Sequence, residues 1–288
     1  MGRGPEATSP VPELHTLRVG RFEVRAYSAG TLGFSIAKYM DENPAAVSEA
    51  SAGNQGQATL GTNFLHVRAP GLSMMIDPGG WSDEHVRRLT DLHPISIDQN
   101  LELLSLDPGD VTDVVVSHGH PDHFQGMLAG EPGAERLRFP NARHYIHKRD
   151  LDGVALSEVD VRAVGMAFDL ARDAGLLHAV DADEAEIATG VTMLHTGGES
   201  GGHCCVRFSD GGETLVYLAD LLHLPEEAQY LDWSMRNRNT DELVSGRRKV
   251  LGEAERSRAV VIYTHDPIEP PWAGVAAEGD AWRLKRVD

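Results

Sequence analysis

The 288-residue chain holds 26 Lys and Arg against 44 Asp and Glu, a formal charge of −18. This excess of acid disfavours nucleic acid and anionic membranes as partners, because both are held through basic side chains. A composition of 41% hydrophobic and 24% charged residues excludes a fibrous or wholly disordered chain and permits a sizeable core.

No run reaches the roughly 18 apolar residues of a membrane span, and the N-terminus lacks an apolar signal region, so a cytoplasmic protein is expected. Residues 1–16 mix Gly, Pro, Glu and Ser without hydrophobic period and predict a mobile leader, followed by one domain over 17–288. Short apolar and β-branched runs predict strands at 17–25, 64–68 and 72–76. Residues 27–62, without sustained period, predict a long loop or short helices that could cover a site. Ser82, followed by Asp83 and Glu84, reads as an N-cap opening a helix to Leu92, and a second helix is expected over 97–104. The run DVVVS at 113–117 predicts a strand buried on both faces. Further strands are expected at 143–147, 191–195, 203–208, 214–219 and 259–264, with helices at 157–174 and 241–257. Residues 130–140, rich in Gly, Pro and Glu, suggest a surface insertion. Strands alternating with helices argue for an α/β architecture. Cys204 and Cys205 are adjacent, which rules against a disulfide between them and reads as small buried hydrophobes.

The most informative stretch is Ser117-His118-Gly119-His120-Pro121-Asp122-His123, directly after the buried strand. His118 and His120, two apart at a strand end, project to one side, so both imidazoles can reach a single cation. Asp122 and His123 follow where Pro121 would start a helix, and point to a neighbouring place suited to a second cation. His203 after a Gly-rich turn, Asp220 at the end of TLVYLAD and His265 after AVVIYT supply further donors near strand ends, where α/β proteins gather functional groups. His15, His66, His85, His93, His144, His147, His178 and His195 read as structural.

Together these residues resemble the metallo-β-lactamase fold superfamily, whose ordered pattern is H-x-H-x-D-H, a Gly-rich turn with His, then Asp, then His. The resemblance spans nearly the whole ordered chain and includes Met75-Ile76-Asp77-Pro78-Gly79. It implies an αββα sandwich of two mixed sheets flanked by helices. It further implies that His118, His120 and His203 bind one metal, that Asp122, His123 and His265 bind a second, and that Asp220 bridges them. The Gly-rich turn departs from the family's T-P-G-H-T-P-G-H: this chain has T-G-G-E-S-G-G-H, with Glu199 in place of a non-ligand His, a change expected to affect shape more than coordination. Two divalent cations, offset by Asp122, Asp220 and a bridging hydroxide, leave a net charge of about +1 to polarise an acyl or phosphoryl oxygen.

Asp220 stands where the true β-lactamases of this fold place Cys or Ser, which argues against antibiotic hydrolysis. Asp220-Leu221-Leu222-His223 resembles the G-D-h-h-H element of quorum-quenching lactonases and methyl parathion hydrolase-like enzymes, with Ala219 in the Gly position. The segment from Thr264 to Gly274 resembles their closing H-x-P-x-P-G-x-G. Some of those lactonases have a substrate-holding Tyr where this chain has His223, so His223 is expected to donate a hydrogen bond to the reacting oxygen or leaving group. Asp122 and His223 are the expected catalytic groups, and Asp77 is expected to orient a metal-bound His. Trp233, Met235, Arg236 and Arg238 could line a pocket, with an Arg meeting a substrate carboxylate.

The resulting expectation is a hydrolase with two Zn²⁺, or Mn²⁺ or Fe²⁺ instead, using a metal-bridging hydroxide on a small lactone or ester. Hydrolysis of a small phosphoester or thioester is the alternative. A mononuclear iron persulfide dioxygenase and a non-catalytic metal-binding protein are both disfavoured by the complete ligand set. The expected partner is a small molecule, with no nucleic acid or membrane, and a homodimer remains open.

Overall fold

The computed structural model describes residues 14–51, 56–80, 92–131, 133–267 and 270–287. The predicted strand at 17–25 is two strands, β1 (Leu14–Val19) and β2 (Phe22–Ser35), because Gly20 at φ 52° turns the chain between them. β1 therefore starts within the span expected as a leader, and residues 1–13 lie outside the described residues.

The expected loop or short helices at 27–62 are corrected at both ends, which are sheet; two short helices do lie between. β2 pairs antiparallel with β3 (Gln57–Ala69) along almost its full length, and α1 (Ile36–Tyr39) and α2 (Pro44–Ala50) lie between them. The two-residue period was hidden by a register shift between Ser28 and Thr31, which moves the buried side chains from one face to the other. Phe22, Val24 and Ala26 join one core cluster, whereas Tyr27 and Ala29 join another.

β4 (Leu72–Ile76) and the short β5 (Leu92–Pro94) follow. The helix expected from Ser82 lies outside the described residues, as does His85. α3 (Ile97–Leu104) starts at a capping box between Ser96 and Gln99. β6 (Asp113–Val115) leads to α4 (Pro121–Phe124), whose first residue is the proline expected to start it. The suspected insertion carries the small hairpin of β7 (Leu128–Ala129) and β8 (Arg136–Leu137). Next come β9 (Arg143–His147), α5 (Lys148–Leu151), α6 (Glu158–Asp173) and β10 (Leu177–Val180). The second half runs through β11 (Glu184–Ala188), β12 (Val191–His195), β13 (Cys204–Asp210), β14 (Glu213–Tyr217), α7 (Thr240–Ser257), β15 (Val260–Ile262), β16 (Ala273–Glu278) and β17 (Ala281–Arg286).

The first sheet has the order β1-β2-β3-β4-β6-β9-β10, with β5 on β2, and the second runs β11-β12-β13-β14-β15-β16-β17. Both are mixed: β4, β6, β9 and β10 pair in parallel, as do β14 and β15. Strand alternation makes the layers. Met74, Ile76 and Val115 face Cys204, Val206, Leu215 and Tyr217 across the space between the sheets. Met75, Val114 and Val116 point outward onto α3 and α6, while Cys205, Val216 and Val261 pack under α7. This is the helix–sheet–sheet–helix sandwich, and both cysteines are buried within it. Among the described residues no helix is long and apolar enough to cross a membrane.

Candidate metal centre

The two sheets meet along one edge through backbone contacts that leave no room for side chains. Gly61 in β3 donates its N–H to the His265 carbonyl at 3.1 Å, and Asn63 donates to the Thr264 carbonyl at 2.7 Å. A Cβ at Gly61 would stand 2.2 Å from the Asp266 carbonyl oxygen, so only glycine allows this approach. The Asp150 carboxylate, buried after β9, makes a second seam. It accepts from Gly119 N (2.7 Å), Ser200 Oγ (2.8 Å) and Gly202 N (2.6 Å), tying the loop of His118 and His120 to the turn before His203.

Along this edge the fold brings together all seven residues singled out as ligands. His118 and His120 lie in the loop after β6, Asp122 and His123 on α4, His203 just before β13, Asp220 in a 3₁₀ turn after β14, and His265 after β15. The Asp220 carboxylate is central. Its Oδ2 lies 3.1 Å from His265 Nε2, 3.3 Å from His123 Nε2, 3.4 Å from His223 Nε2 and 3.7 Å from His118 Nε2. His123 Nε2 is 3.6 Å from Asp122 Oδ2, and His118 Nε2 is 2.9 Å from His120 Nδ1. Donor atoms converge in three overlapping groups: His118, His120, Glu199 and Asp220; Asp122, His123 and His265; and Asp220, His223 and His265. His203 sits beside the first, its ring 5.2 Å from that of His118 and its Nε2 3.2 Å from the Asp220 amide.

The outer contacts decide which nitrogen of each ring faces inward. Asp77 Oδ2 lies 2.8 Å from His123 Nδ1, the Gly61 carbonyl 2.9 Å from His265 Nδ1, and Thr196 Oγ1 2.7 Å from His203 Nδ1. With Nδ1 engaged, Nε2 is the nitrogen that each ring turns to the centre. Asp77 is itself held at φ 48° and also accepts from Ser117 N (2.7 Å), Ser117 Oγ (2.6 Å) and Tyr217 OH (3.0 Å).

Burial and the neighbouring imidazoles hold His118 well below the ordinary histidine range; burial and Arg238 do the same for His120. His203 is pushed down to about 3, mainly by burial. These rings stay neutral, as ligands must. His123 is raised instead: burial opposes its charge but is outweighed by Asp220, Asp122 and Asp77. Asp220 is correspondingly held far below the carboxylate range by His123 and His265, against the cost of burial. Buried His123 Nε2, Asp220 Oδ1 and both Glu199 carboxylate oxygens lack a hydrogen-bond partner among the described residues. Buried polar atoms without partners are costly, and neutral imidazoles interleaved with carboxylates form a donor set that fits divalent cations.

A cavity of about 290 Å³ opens onto this cluster: besides His120, Asp122, Glu199, Asp220, His223, Arg238 and His265 it is lined by apolar Leu32, Phe34, Leu60 and Met235 and by Ser35, Lys38, Tyr39 and Gln57. Two of the pocket residues expected from sequence are corrected. Trp233 is buried at 1% exposure with its Nε1 donating to the Asp41 carbonyl, and Arg236 donates to the Met40 and Ala37 carbonyls, so both brace α1 and the chain after it. Met235 does line the cavity.

Sequence reading passed over Glu199, Glu227 and Arg247. Glu199 was expected to affect the turn's shape more than coordination, yet its Oε1 is 3.3 Å from His120 Nδ1 and 3.7 Å from His223 Nε2. Glu227 accepts from His223 N (2.5 Å) and Leu224 N (2.7 Å) and pairs with fully buried Arg247, which also donates to the carbonyls of Leu221, Leu231 and Trp233. Of the histidines set aside, His147 and His195 stack on each other at 4.1 Å, and His66 lies 3.0 Å from Ser73 Oγ.

A helix–sheet–sheet–helix sandwich with a His/Asp cluster at the sheet edge defines a class of metal-dependent hydrolases. The chain belongs to the metallo-beta-lactamase superfamily, whose family model matches residues 59–265. Comparison with curated proteins finds no significant match. Among solved structures, AidC, a dizinc quorum-quenching lactonase in complex with a product, is similar at TM-score 0.81 and 18% identity, covering 96% of this chain and 98% of that one. The hydrolase AbOPH has TM-score 0.81 and 17% identity, covering 97% and 99% of the two chains. A probable metal-dependent hydrolase from Staphylococcus aureus has TM-score 0.73 and 18% identity, with 94% and 99% covered. At these identities the likeness speaks to the fold.

Proposed function

We propose that this metal-dependent hydrolase is dinuclear and cleaves a small lactone or ester. The observation that carries this reading is the pair of donor groups meeting at Asp220 Oδ2, open to a cavity that Leu32, Phe34, Leu60 and Met235 also line. His118, His120 and His203 would hold one cation, Asp122, His123 and His265 the other, with Asp220 between them, and zinc is the expected metal. When bound, the pair supplies Lewis-acid polarisation of a carbonyl and activation of water near neutral pH. Being a dizinc lactonase, AidC is consistent with this assignment.

The chain's own residues do the rest. Leu32, Phe34, Leu60 and Met235 offer an apolar surface for an acyl group and exclude water from it. His223 is pushed up to about 9, since Glu199, Asp220 and Glu227 outweigh the cost of burying its charge. Its Nε2 faces the carboxylates of Asp220 and Glu199 at 3.4 and 3.7 Å, and a proton held there can be donated to a developing oxyanion or a leaving alkoxide. Glu227 fixes its backbone, and the ring of His265 stacks on its ring at 5.2 Å.

The test is a screen of purified, metal-analysed protein against lactones, aryl esters, thioesters and small phosphoesters, with His118→Ala as control. Two metals per chain and lactone or ester turnover that vanishes in the control support the reading. Equal turnover in the control, or turnover of phosphoesters alone, overturns it.

A further inference from the structure

Glu199 is 2% exposed, and neither carboxylate oxygen makes an aligned hydrogen bond among the described residues. Its charge partner is Arg238, whose Nε lies 2.7 Å from Oε1. Burying a carboxylate without the hydrogen bonds that normally satisfy it is expensive. The turn nevertheless forces it inward. Gly197 and Gly198 adopt φ 63° and 94°, and a Cβ on either would strike Glu242 or Leu243, so the backbone has one way to pass and delivers residue 199 to the centre. There its Oε1 stands 3.3 Å from His120 Nδ1. It also falls in the same 4.8 Å donor group as His118 and Asp220.

We propose that Glu199 is a protein donor to the His118–His120 side of the metal centre, and that it shifts that side's preference from zinc toward harder divalent cations such as Mn²⁺. The proposal rests on the dinuclear reading above. Its chemical basis is ligand hardness: imidazole suits zinc, whereas added carboxylate oxygen favours Mn²⁺ and similar ions. Arg238 shares Oε1 and keeps the buried carboxylate compensated until a cation arrives. The turn's departure from T-P-G-H then alters coordination as well as shape.

The experiment strips the full chain of metal and titrates it separately with Zn²⁺ and Mn²⁺, reading bound metal per chain by mass spectrometry and free Mn²⁺ by its paramagnetic resonance signal. Wild type is compared with Glu199→Gln and with the double variant Glu199→Gln/Arg238→Gln. In Glu199→Gln one equivalent of Mn²⁺ should bind at least about tenfold more weakly, matching or exceeding the loss seen when a ligand's supporting contact is removed. Zn²⁺ should weaken less, and the double variant should stay as weak for Mn²⁺ as the single one. Unchanged Mn²⁺ binding in Glu199→Gln, or recovery in the double variant, would mean that Glu199 merely neutralises Arg238 and overturns the proposal. Failure of the wild type to bind two cations of either kind instead removes the dinuclear reading and this proposal with it.

Discussion

Asp77 offers the sharpest test of how the site is built. Its Oδ1 accepts from Ser117 N, while its Oδ2 receives Ser117 Oγ, Tyr217 OH and His123 Nδ1. Asp77→Asn keeps the volume, and asparagine tolerates the left-handed backbone at φ 48°. If Oδ1 keeps the Ser117 amide, Nδ2 replaces Oδ2. Both hydroxyls can rotate to accept from it, but a protonated His123 Nδ1 cannot. The ring must then move its proton to Nε2, the atom that lies 3.3 Å from Asp220 and should hold metal. Altering a contact of this kind weakens metal binding by about 10- to 100-fold, or about 1.4 to 2.8 kcal/mol. The assay is calorimetric titration of metal-free protein, with a thermal melt to show that the variant folds. One equivalent should weaken by that factor while the other is retained. A folded variant binding both equivalents within threefold of wild type would falsify the tautomer argument.

Three other outcomes follow from the contacts. His223→Phe should lower kcat by about 100-fold or more while leaving metal content intact, because a donor to developing charge is lost and no expected ligand is; unchanged kcat would sink the role given to His223. Arg247→Met should cost about 3 to 5 kcal/mol in urea denaturation, since it leaves the Glu227 carboxylate buried and unpaired; a loss below about 1 kcal/mol would show that the pair does not brace this loop. Stability should fall as pH drops below 6.5. His66, 1% exposed and pushed down to about 3 chiefly by burial, must be protonated on unfolding. Its contribution is complete above the unfolded value and is lost as pH falls toward the folded one. The loss is on the order of 1 kcal/mol per pH unit for one proton. Urea melts at three pH values should show a shallower dependence in His66→Gln, and an identical slope would exclude His66 as its source.

What could be read from the sequence follows how far each feature depends on distant parts of the chain. His118, His120, Asp122 and His123 were legible because one short segment carries all four, and the strand before them is an unbroken β-branched run. Asp220 and His265 were legible from their order and their places at strand ends. The part of β2 after residue 25 and the first half of β3 were not, because the shift near Ser28 breaks the alternation on which strand reading relies. β16 and β17 escaped for another reason: AGVAAE and AWRLKR, at the edge of the second sheet, bury only one residue fully. Glu199 and Arg247 gain their roles from partners 14 to 79 positions away, and Glu227 meets Arg247 20 positions on, which no local pattern encodes. Trp233 and Arg236 had the side chains of a pocket wall, but the fold spends them on bracing α1.

The glycine approach at residue 61 and the Asp150 carboxylate together join two halves of the chain that share no other covalent tie than the segment between β10 and β11. Donors to each of the proposed cations come from both halves: His118 and His123 from the first, Asp220 and His265 from the second. A bound pair of cations would therefore act as a clasp as well as a catalyst. Chelation should loosen the molecule along this line first, opening the loops at 116–120 and 196–202 to a protease while each sheet still holds its own helices.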